Sequence, residues 1–221
     1  DRCGVELMIS SGHTALADMV RGNAEMAEIT ARYPGRWYAY LTYHPHFPEQ
    51  GRRELELYDT RTSYAGLKLH PTFHQTPITS DAYRPVLEFA DARGLLLLTH
   101  TWGGSAFDSP AHIAEVAERY PRIVLLCGHS GHGQFVECMD VARRFPNVYL
   151  ELTAAYAVRG LIEDMVARVG AHKVVLGYDL PWFDPHYAIG CVVMAHISEE
   201  ARRMILRENA SRLLQGRLRG R

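Results

Sequence analysis

The chain has 221 residues, of which 47% are hydrophobic and 22% are charged, and this length suits one domain with a substantial core. The formal net charge is -1, so no overall field attracts nucleic acid or an anionic membrane, and we expect neither as a partner. No apolar run approaches the roughly 18 residues of a membrane span. The four cysteines are scattered without a Cys-x-x-Cys pair. We therefore expect residues 1–221 to form one cytoplasmic domain with reduced thiols.

Short apolar segments rich in β-formers alternate with longer amphipathic segments along the whole chain. Continuous apolar runs are typical of parallel strands that are covered on both faces. The seven predicted strands are residues 5–10, 37–43, 66–70, 95–100, 123–128, 148–153 and 173–177.

The segments between these strands carry residues that start and end helices. A helix predicted over residues 15–33 stops before Pro34, because the residue preceding proline is disfavoured in helical geometry. A helix predicted over residues 81–93 ends at Gly94, and Ser109 with Pro110 begins another. Ser198 begins a last helix that runs to about residue 214.

The number of strand–helix units distinguishes two α/β architectures. A TIM barrel needs eight units in roughly 250 residues, whereas an open doubly wound sheet needs no closure. No Gly-x-Gly-x-x-Gly or Walker-type loop follows any predicted strand, so the usual nucleotide site of an open sheet is missing. The sequence begins at Asp1 rather than at methionine. We therefore predict an α/β fold, a (β/α)8 TIM-like barrel with seven visible units that lacks its first strand.

Polar side chains close or follow most of the predicted strands. The carboxyl ends of barrel strands gather at one rim, where barrel enzymes have their active sites. Imidazole nitrogen and carboxylate oxygen both suit zinc, which lowers the pKa of a bound water towards neutrality. The sequence therefore predicts a divalent metal site at this rim. The side chains predicted to lie there are those of Lys68, His70, His100, His129, Glu151 and Asp179.

Several of these residues also have structural interpretations. Lys68 could be a carbamylated metal bridge, a charge that holds an anionic substrate, or the partner of a neighbouring acid. For Glu151 we expect a structural hydrogen bond. Trp102 and Trp182 directly follow ligand candidates and could wall an aromatic substrate, although packing of loops is the alternative. The predicted substrate-binding residues are Lys68, His70, Trp102 and Trp182.

Three other motifs receive weaker interpretations. His132 is predicted to begin the helix after the strand that ends near His129. His44 and His46 resemble a His-x-His metal pair but follow the wrong strand, so we interpret them as loop residues near the mouth. A serine hydrolase is disfavoured because Ser130 lacks the Gly-x-Ser-x-Gly elbow.

The order and spacing of these motifs resemble the amidohydrolase-related branch of the amidohydrolase superfamily, also called amidohydrolase 2. The resemblance covers nearly the whole chain. Its motifs are ARYPGR at 31–36, GLKLHP at 66–71, His100 at a strand end, GHSG at 128–131, GYDLPW at 177–182 and ENASRLL at 208–214.

The resemblance implies a mononuclear metal, usually zinc, bound by a histidine of the fifth barrel strand and an aspartate of the eighth. These correspond to His100 and Asp179. The strand-six histidine corresponds to His129, which in relatives binds the metal or polarises substrate and water. Asp179 would be both ligand and proton acceptor, so Asp179 and His129 are the predicted catalytic residues. The first-strand His-x-His or Glu-x-His pair has no counterpart in the sequence.

The same resemblance implies two activities on a small-molecule substrate. The first is hydrolysis of an amide, lactone or ester bond of a small carboxylate by metal-activated water. The second is non-oxidative decarboxylation of an aromatic or unsaturated acid, in which an acid protonates the resulting carbanion. A third hypothesis, from a different class, is an inactive fragment or scaffold. The resemblance is also compatible with a homodimer.

Overall fold

The computed structural model describes residues 2–61 and 63–218, and the predicted alternation of strands and helices is present along this part of the chain. Each of the seven predicted strands has a counterpart, and their boundaries differ from the prediction by a few residues. The strands are β1 (Met8–Ser10), β2 (Trp37–Thr42), β3 (Tyr64–Leu69), β4 (Leu96–Trp102), β5 (Val124–His132), β6 (Val148–Glu151) and β7 (Val174–Val175).

The helices pack between and around these strands. Short 3-10 turns occur at Ala155–Ala157 and Ala171–Lys173, and a π-helical segment covers Met204–Glu208. The α-helices are α1 (Thr14–Ala17), α2 (Met19–Arg32), α3 (Pro48–Tyr58), α4 (Pro71–His74), α5 (Arg84–Arg93), α6 (Pro110–Arg119), α7 (Phe135–Arg144), α8 (Leu161–Val169), α9 (Pro185–Met194), α10 (Glu199–Arg203) and α11 (Asn209–Leu214).

Several helix boundaries differ from the sequence prediction: the helix predicted from residue 81 begins at Arg84, the last helix contains the π-helical segment, and two further differences have a clear local cause. The single helix expected over residues 15–33 is broken at Asp18, whose backbone is extended and whose side chain caps α2 by accepting from the Arg21 N–H at 3.1 Å. His132 does not begin a helix. It is the last residue of β5, because residues 129–131 form a bulge that prolongs pairing with β4, and α7 begins at Phe135.

The seven strands form one parallel sheet in the order of the chain, from β1 to β7. Each strand pairs with the next, as in the register of Met8 with Trp37 and of Leu150 with Val174. Strands that follow one another in parallel through helical crossovers are the arrangement of a TIM barrel. The fold is therefore α/β and TIM-like with seven strands, as predicted.

Apolar side chains on the two faces of the sheet form separate clusters. The larger cluster packs the sheet against the surrounding helices, and includes Leu97, Ile113 and Met165. The smaller one lies on the other face of the strands and includes Leu96, Tyr149 and Leu213 of α11. Side chains alternate between the two faces of a strand. Residues two or four positions further along each strand therefore point to the same face as this smaller cluster. In the described part of the chain, none of the helices has the length and apolar character required to cross a bilayer.

Candidate active site

The inner face of the sheet carries polar side chains at the ends of its strands. On β4 the apolar Leu96 and Leu98 are followed two residues later by His100, and on β6 Tyr149 is followed by Glu151. The same alternation continues from Lys68 at the end of β3 to His70. Period-two geometry therefore places these groups above the smaller apolar cluster, as the sequence predicts.

Four aromatic rings meet at the end of β4. The imidazoles of His70 and His100 are stacked, with ring centroids 4.1 Å apart and planes 13° from parallel. The indole of Trp102 is also nearly parallel to the His100 ring, with centroids 5.6 Å apart and planes 6° from parallel. His129 approaches edge-on, with its ring centroid 5.0 Å from that of His100. The structure thus brings His70, His100, His129 and Trp102 together, and their roles stay predictions.

Asp108, which the sequence interpretation missed, anchors His100. Its Oδ2 lies 2.9 Å from Nδ1 of His100, and its side chain is completely buried. Thr72 donates to the same carboxylate through its backbone N–H at 3.1 Å and its hydroxyl at 2.8 Å. Burial opposes ionisation of Asp108, but hydrogen bonds from His100, Ser105 and Thr72 outweigh it and lower the pKa of the carboxyl.

Among the described residues, His70, His100 and Asp108 are the trio whose possible ligand atoms all lie within 4.8 Å of one another. In the predicted trio of His100, His129 and Asp179, the possible ligand atoms do not all lie within this distance of one another. Its assignment as the ligand set stays a prediction.

His129 occupies a strained turn at the end of β5. His129, Ser130 and Gly131 all have positive φ values, of 61°, 50° and 69°. Two groups of Glu151 stabilise this left-handed run: Oε2 accepts from the His129 N–H at 3.2 Å, and the carbonyl oxygen accepts from the Ser130 hydroxyl at 2.8 Å. Non-glycine residues with positive φ concentrate at functional sites, where the surroundings hold them.

The His129 imidazole remains neutral. Burial, together with the charges of Lys68 and His100, lowers its pKa to about 3. Its Nδ1 is buried without a hydrogen-bond partner. A neutral ring with an unpartnered buried nitrogen has a lone pair available for a cation or a substrate proton.

Glu151 and Lys68 are two ionisable side chains at the strand ends that form the rim. Burial raises the pKa of Glu151, against the hydrogen bonds donated by Thr153 and His129. Burial lowers the pKa of Lys68, against the opposing charges of Asp179, Glu151 and Asp108. A buried ammonium close to acidic groups can exchange those partners for the carboxylate of a substrate.

Asp179 and Trp182 lie at the outer edge of the rim. Asp179 follows β7, is exposed, and has a φ of 49°. Its carbonyl oxygen accepts from the Trp182 N–H at 3.0 Å. Trp182 is 64% exposed, and its indole N–H donates to Nε2 of His13 at 3.3 Å. Its role in substrate binding stays a prediction.

A second group of histidines lies beside the rim; the sequence predicted His44 and His46 as loop residues and did not identify His74. The rings of His44 and His74 are 4.1 Å apart. Nε2 of His74 donates to the Leu16 carbonyl at 2.9 Å, so its Nδ1 accepts from the Tyr83 hydroxyl at 2.9 Å. Nε2 of His46 lies 2.8 Å from the Thr76 hydroxyl, and the His46 backbone N–H donates to Nδ1 of His44 at 3.2 Å. His74 lies in α4 and Asp108 lies in the loop before α6. Neither residue follows an apolar strand directly, so the pattern that identified the other rim residues does not identify them.

Comparison with known proteins identifies the family. A model of the amidohydrolase family matches residues 6–216. The chain belongs to this family. Membership of this family identifies the chain as an enzyme. A search of curated proteins found no match.

Several solved structures share the fold. An uncharacterised TIM-barrel protein from Bordetella bronchiseptica has a TM-score of 0.82 and 22% identity, over 97% of this chain and 79% of that one. The 2,6-dihydroxybenzoate decarboxylase from Rhizobium has a TM-score of 0.77 and 19% identity, over 96% and 84%. A dihydroxybenzoic acid decarboxylase from Polaromonas, solved with manganese and 2-nitroresorcinol, has a TM-score of 0.71 and 17% identity, over 96% and 79%. These similarities establish the barrel.

Proposed function

We propose that the protein is a metal-dependent decarboxylase that releases carbon dioxide from an aromatic carboxylic acid without an oxidant. The observation that carries this proposal is the flat indole of Trp102 beside His100 and His129, with the Lys68 ammonium in the same rim. This arrangement suits a planar acid, because the indole can stack on its ring while the ammonium pairs with its carboxylate. The sequence alone favoured hydrolysis; the aromatic wall changes that preference.

A divalent cation fits the histidines of this rim. His129 has a buried nitrogen without a partner, and Nδ1 of His100 is engaged by Asp108, which leaves Nε2 for a ligand. We propose that His100, His129 and Asp179 hold Mn²⁺ or Zn²⁺. When bound, such a cation orients the acid and stabilises negative charge that develops on it. The manganese in the related Polaromonas structure supports this choice.

The chain's own residues would position the acid and move one proton. Lys68 binds the carboxylate and Trp102 fixes the plane of the ring. When the carbon–carbon bond breaks, its electron pair stays on the ring carbon and carbon dioxide leaves. A proton from the Asp179 carboxyl forms the new carbon–hydrogen bond, and Asp179 regains a proton from solvent at the exposed edge of the rim.

Hydrolysis is the second candidate. It is favoured by the exposed position of Asp179, whose carboxylate could accept a proton from an incoming water. The substrate would then be an amide, lactone or ester of a small carboxylate. The two candidates differ in whether carbon dioxide or a hydrolysed acid is the product.

One assay distinguishes them. The protein, loaded with Mn²⁺, is incubated in D2O with a panel of hydroxybenzoates and, separately, with lactones and phenyl esters, and products are followed by NMR. Decarboxylation predicts carbon dioxide and one deuterium at the vacated ring carbon. His129→Ala should abolish turnover, whereas His196→Ala, at an exposed histidine after α9, should not. Turnover of the lactones or esters alone would reject decarboxylation in favour of hydrolysis.

A further inference from the structure

We propose that Asp108 is a positioning residue that fixes the tautomer and orientation of His100, so that its Nε2 faces the rim with a free lone pair. The consequence for metal affinity rests on the proposed function; the assignment of the tautomer does not. Asp108 lies outside the strand ends that form the rim, in the loop between β4 and α6.

The hydrogen bond between Asp108 and His100 determines which ring nitrogen carries the proton. Oδ2 and Nδ1 are 2.9 Å apart. Both oxygens of this carboxylate already accept hydrogen bonds from Thr72, so the carboxylate is the acceptor towards His100 as well; the proton then lies on Nδ1 and the lone pair on Nε2. This is the arrangement by which a carboxylate orients a metal-binding histidine and increases its basicity.

The carboxylate that accepts this bond is itself held in place. The N–H and hydroxyl of Thr72, in the first turn of α4, both donate to it. The hydroxyl of Ser105 accepts from the N–H of Asp108 at 3.3 Å and from that of Phe107 at 3.1 Å. With its side chain fully buried, Asp108 ties β4, α4 and its own loop into one unit. Such a group has little freedom to turn away from His100.

The close approach of His70, His100 and Asp108 would also fit a cation bound directly by all three. The geometry of the rings argues against it. A nitrogen lone pair lies in the plane of its own ring, and the His70 and His100 rings are stacked, with nearly parallel planes and centroids 4.1 Å apart. Both lone pairs therefore cannot point at one ion between the rings. In addition, Nδ1 of His70 accepts from the Phe73 N–H at 3.2 Å.

The test begins with the metal-free wild-type protein labelled with 15N-histidine. The His100 resonances, assigned by their loss in His100→Gln, should show a proton on Nδ1 and an unprotonated Nε2. An Nε2-protonated or rapidly exchanging His100 would overturn the proposal. This measurement needs no substitution at Asp108, so it stands even where that substitution prevents folding.

The second measurement is Mn²⁺ affinity by calorimetric titration of wild type, Asp108→Asn and His70→Ala, with Asp91→Asn as control. Asp91 lies on α5 and pairs with Arg122, so Asp91→Asn should leave Mn²⁺ affinity unchanged. We expect Asp108→Asn to weaken Mn²⁺ binding about 10- to 100-fold with a mixed His100 tautomer, and His70→Ala to have little effect. Loss of binding in both variants would instead identify a directly bound trio and overturn the proposal. A wild-type protein with the Nδ1 proton but no Mn²⁺ binding would reject the proposed function and retain the assigned tautomer.

Discussion

The backbone N–H of His129 donates to Oε2 of Glu151 at 3.2 Å, and this bond joins the ends of two neighbouring strands. Oε1 of the same carboxylate accepts from the Thr153 N–H at 3.2 Å. A buried glutamate thus holds a histidine whose φ of 61° is unfavourable for a side-chain-bearing residue. The structural hydrogen bond expected for Glu151 is present, and it supports the catalytic candidate.

Gly177→Ala should inactivate the protein. A Cβ at this position would lie 1.4 Å from Oε1 of Glu151, so the carboxylate must leave its place and His129 must lose its support. We expect loss of turnover and a decrease in the free energy of unfolding of about 1–3 kcal/mol, measured by urea denaturation. Gly190→Ala in α9 is the matched control. Its Cβ meets nothing within 4 Å, so this variant should keep activity and stability.

Lys68→Met should reduce activity without reducing stability. The ammonium is disfavoured by burial, and the rim offers it only acidic side chains that an anionic substrate can replace. We expect kcat/KM for an aromatic acid to fall about 10- to 100-fold, with an unchanged urea midpoint.

Lys173→Met gives the opposite result and serves as the comparison. Its Nζ donates to the carbonyls of Phe145, Pro146 and Val148 at 2.7–2.9 Å. Removing the ammonium leaves these acceptors without their donor, which costs about 1–3 kcal/mol of folding free energy. Equal losses of activity and stability in both lysine variants would contradict the assignment of Lys68 to substrate.

Trp102→Ala should raise KM for aromatic acids by about two- to tenfold, because a stacking contact between rings contributes about 0.5–1.5 kcal/mol. Trp102→Phe retains a ring and should recover most of this loss. Steady-state kinetics on an aromatic and an aliphatic acid test the prediction. A similar effect on both substrates would show that Trp102 packs the loop rather than contacting the ring.

The pH dependence of stability should reflect His44. Burial, followed by the charges of His74 and His46, lowers its pKa from 6.5 to about 4. Between these values the unfolded chain binds a proton at His44 that the folded chain does not, so the free energy of unfolding decreases as the pH falls from 6.5 to about 4. His44→Gln should show a smaller decrease in urea midpoint over this range than wild type or the surface variant His196→Gln. An identical pH dependence in all three proteins would refute the prediction.

The strand ends could be predicted from the sequence because two simple periodicities place them. Seven apolar runs give the parallel sheet, and alternation along each run puts Lys68, His100 and Glu151 on its inner face. Asp108 and His74 could not be found in this way. Their contacts depend on the path of the loop that brings Asp108 back to Thr72 and on the packing of α4 against Tyr83, and neither leaves a periodic pattern.

The position of His132 shows a further limit of sequence reasoning. A histidine followed by glycine after a strand is typical of a turn into a helix. Here three successive left-handed residues instead form a bulge, and the strand resumes with His132 opposite Trp102. The stability of that bulge depends on a hydrogen bond to Glu151 in the next strand. This contact joins residues far apart in the sequence, so the local sequence does not reveal it.

The carboxylate of Glu151 touches the ends of β5 and β6 and excludes a side chain at Gly177, after β7. These positions are therefore coupled for anyone who redesigns the enzyme. A library that randomises one of these positions at a time should yield mostly inactive variants, because each new side chain must fit two neighbours that have not changed. Joint randomisation of 129, 151 and 177, or transplantation of the three strand ends as a block, is the more productive route to a new specificity.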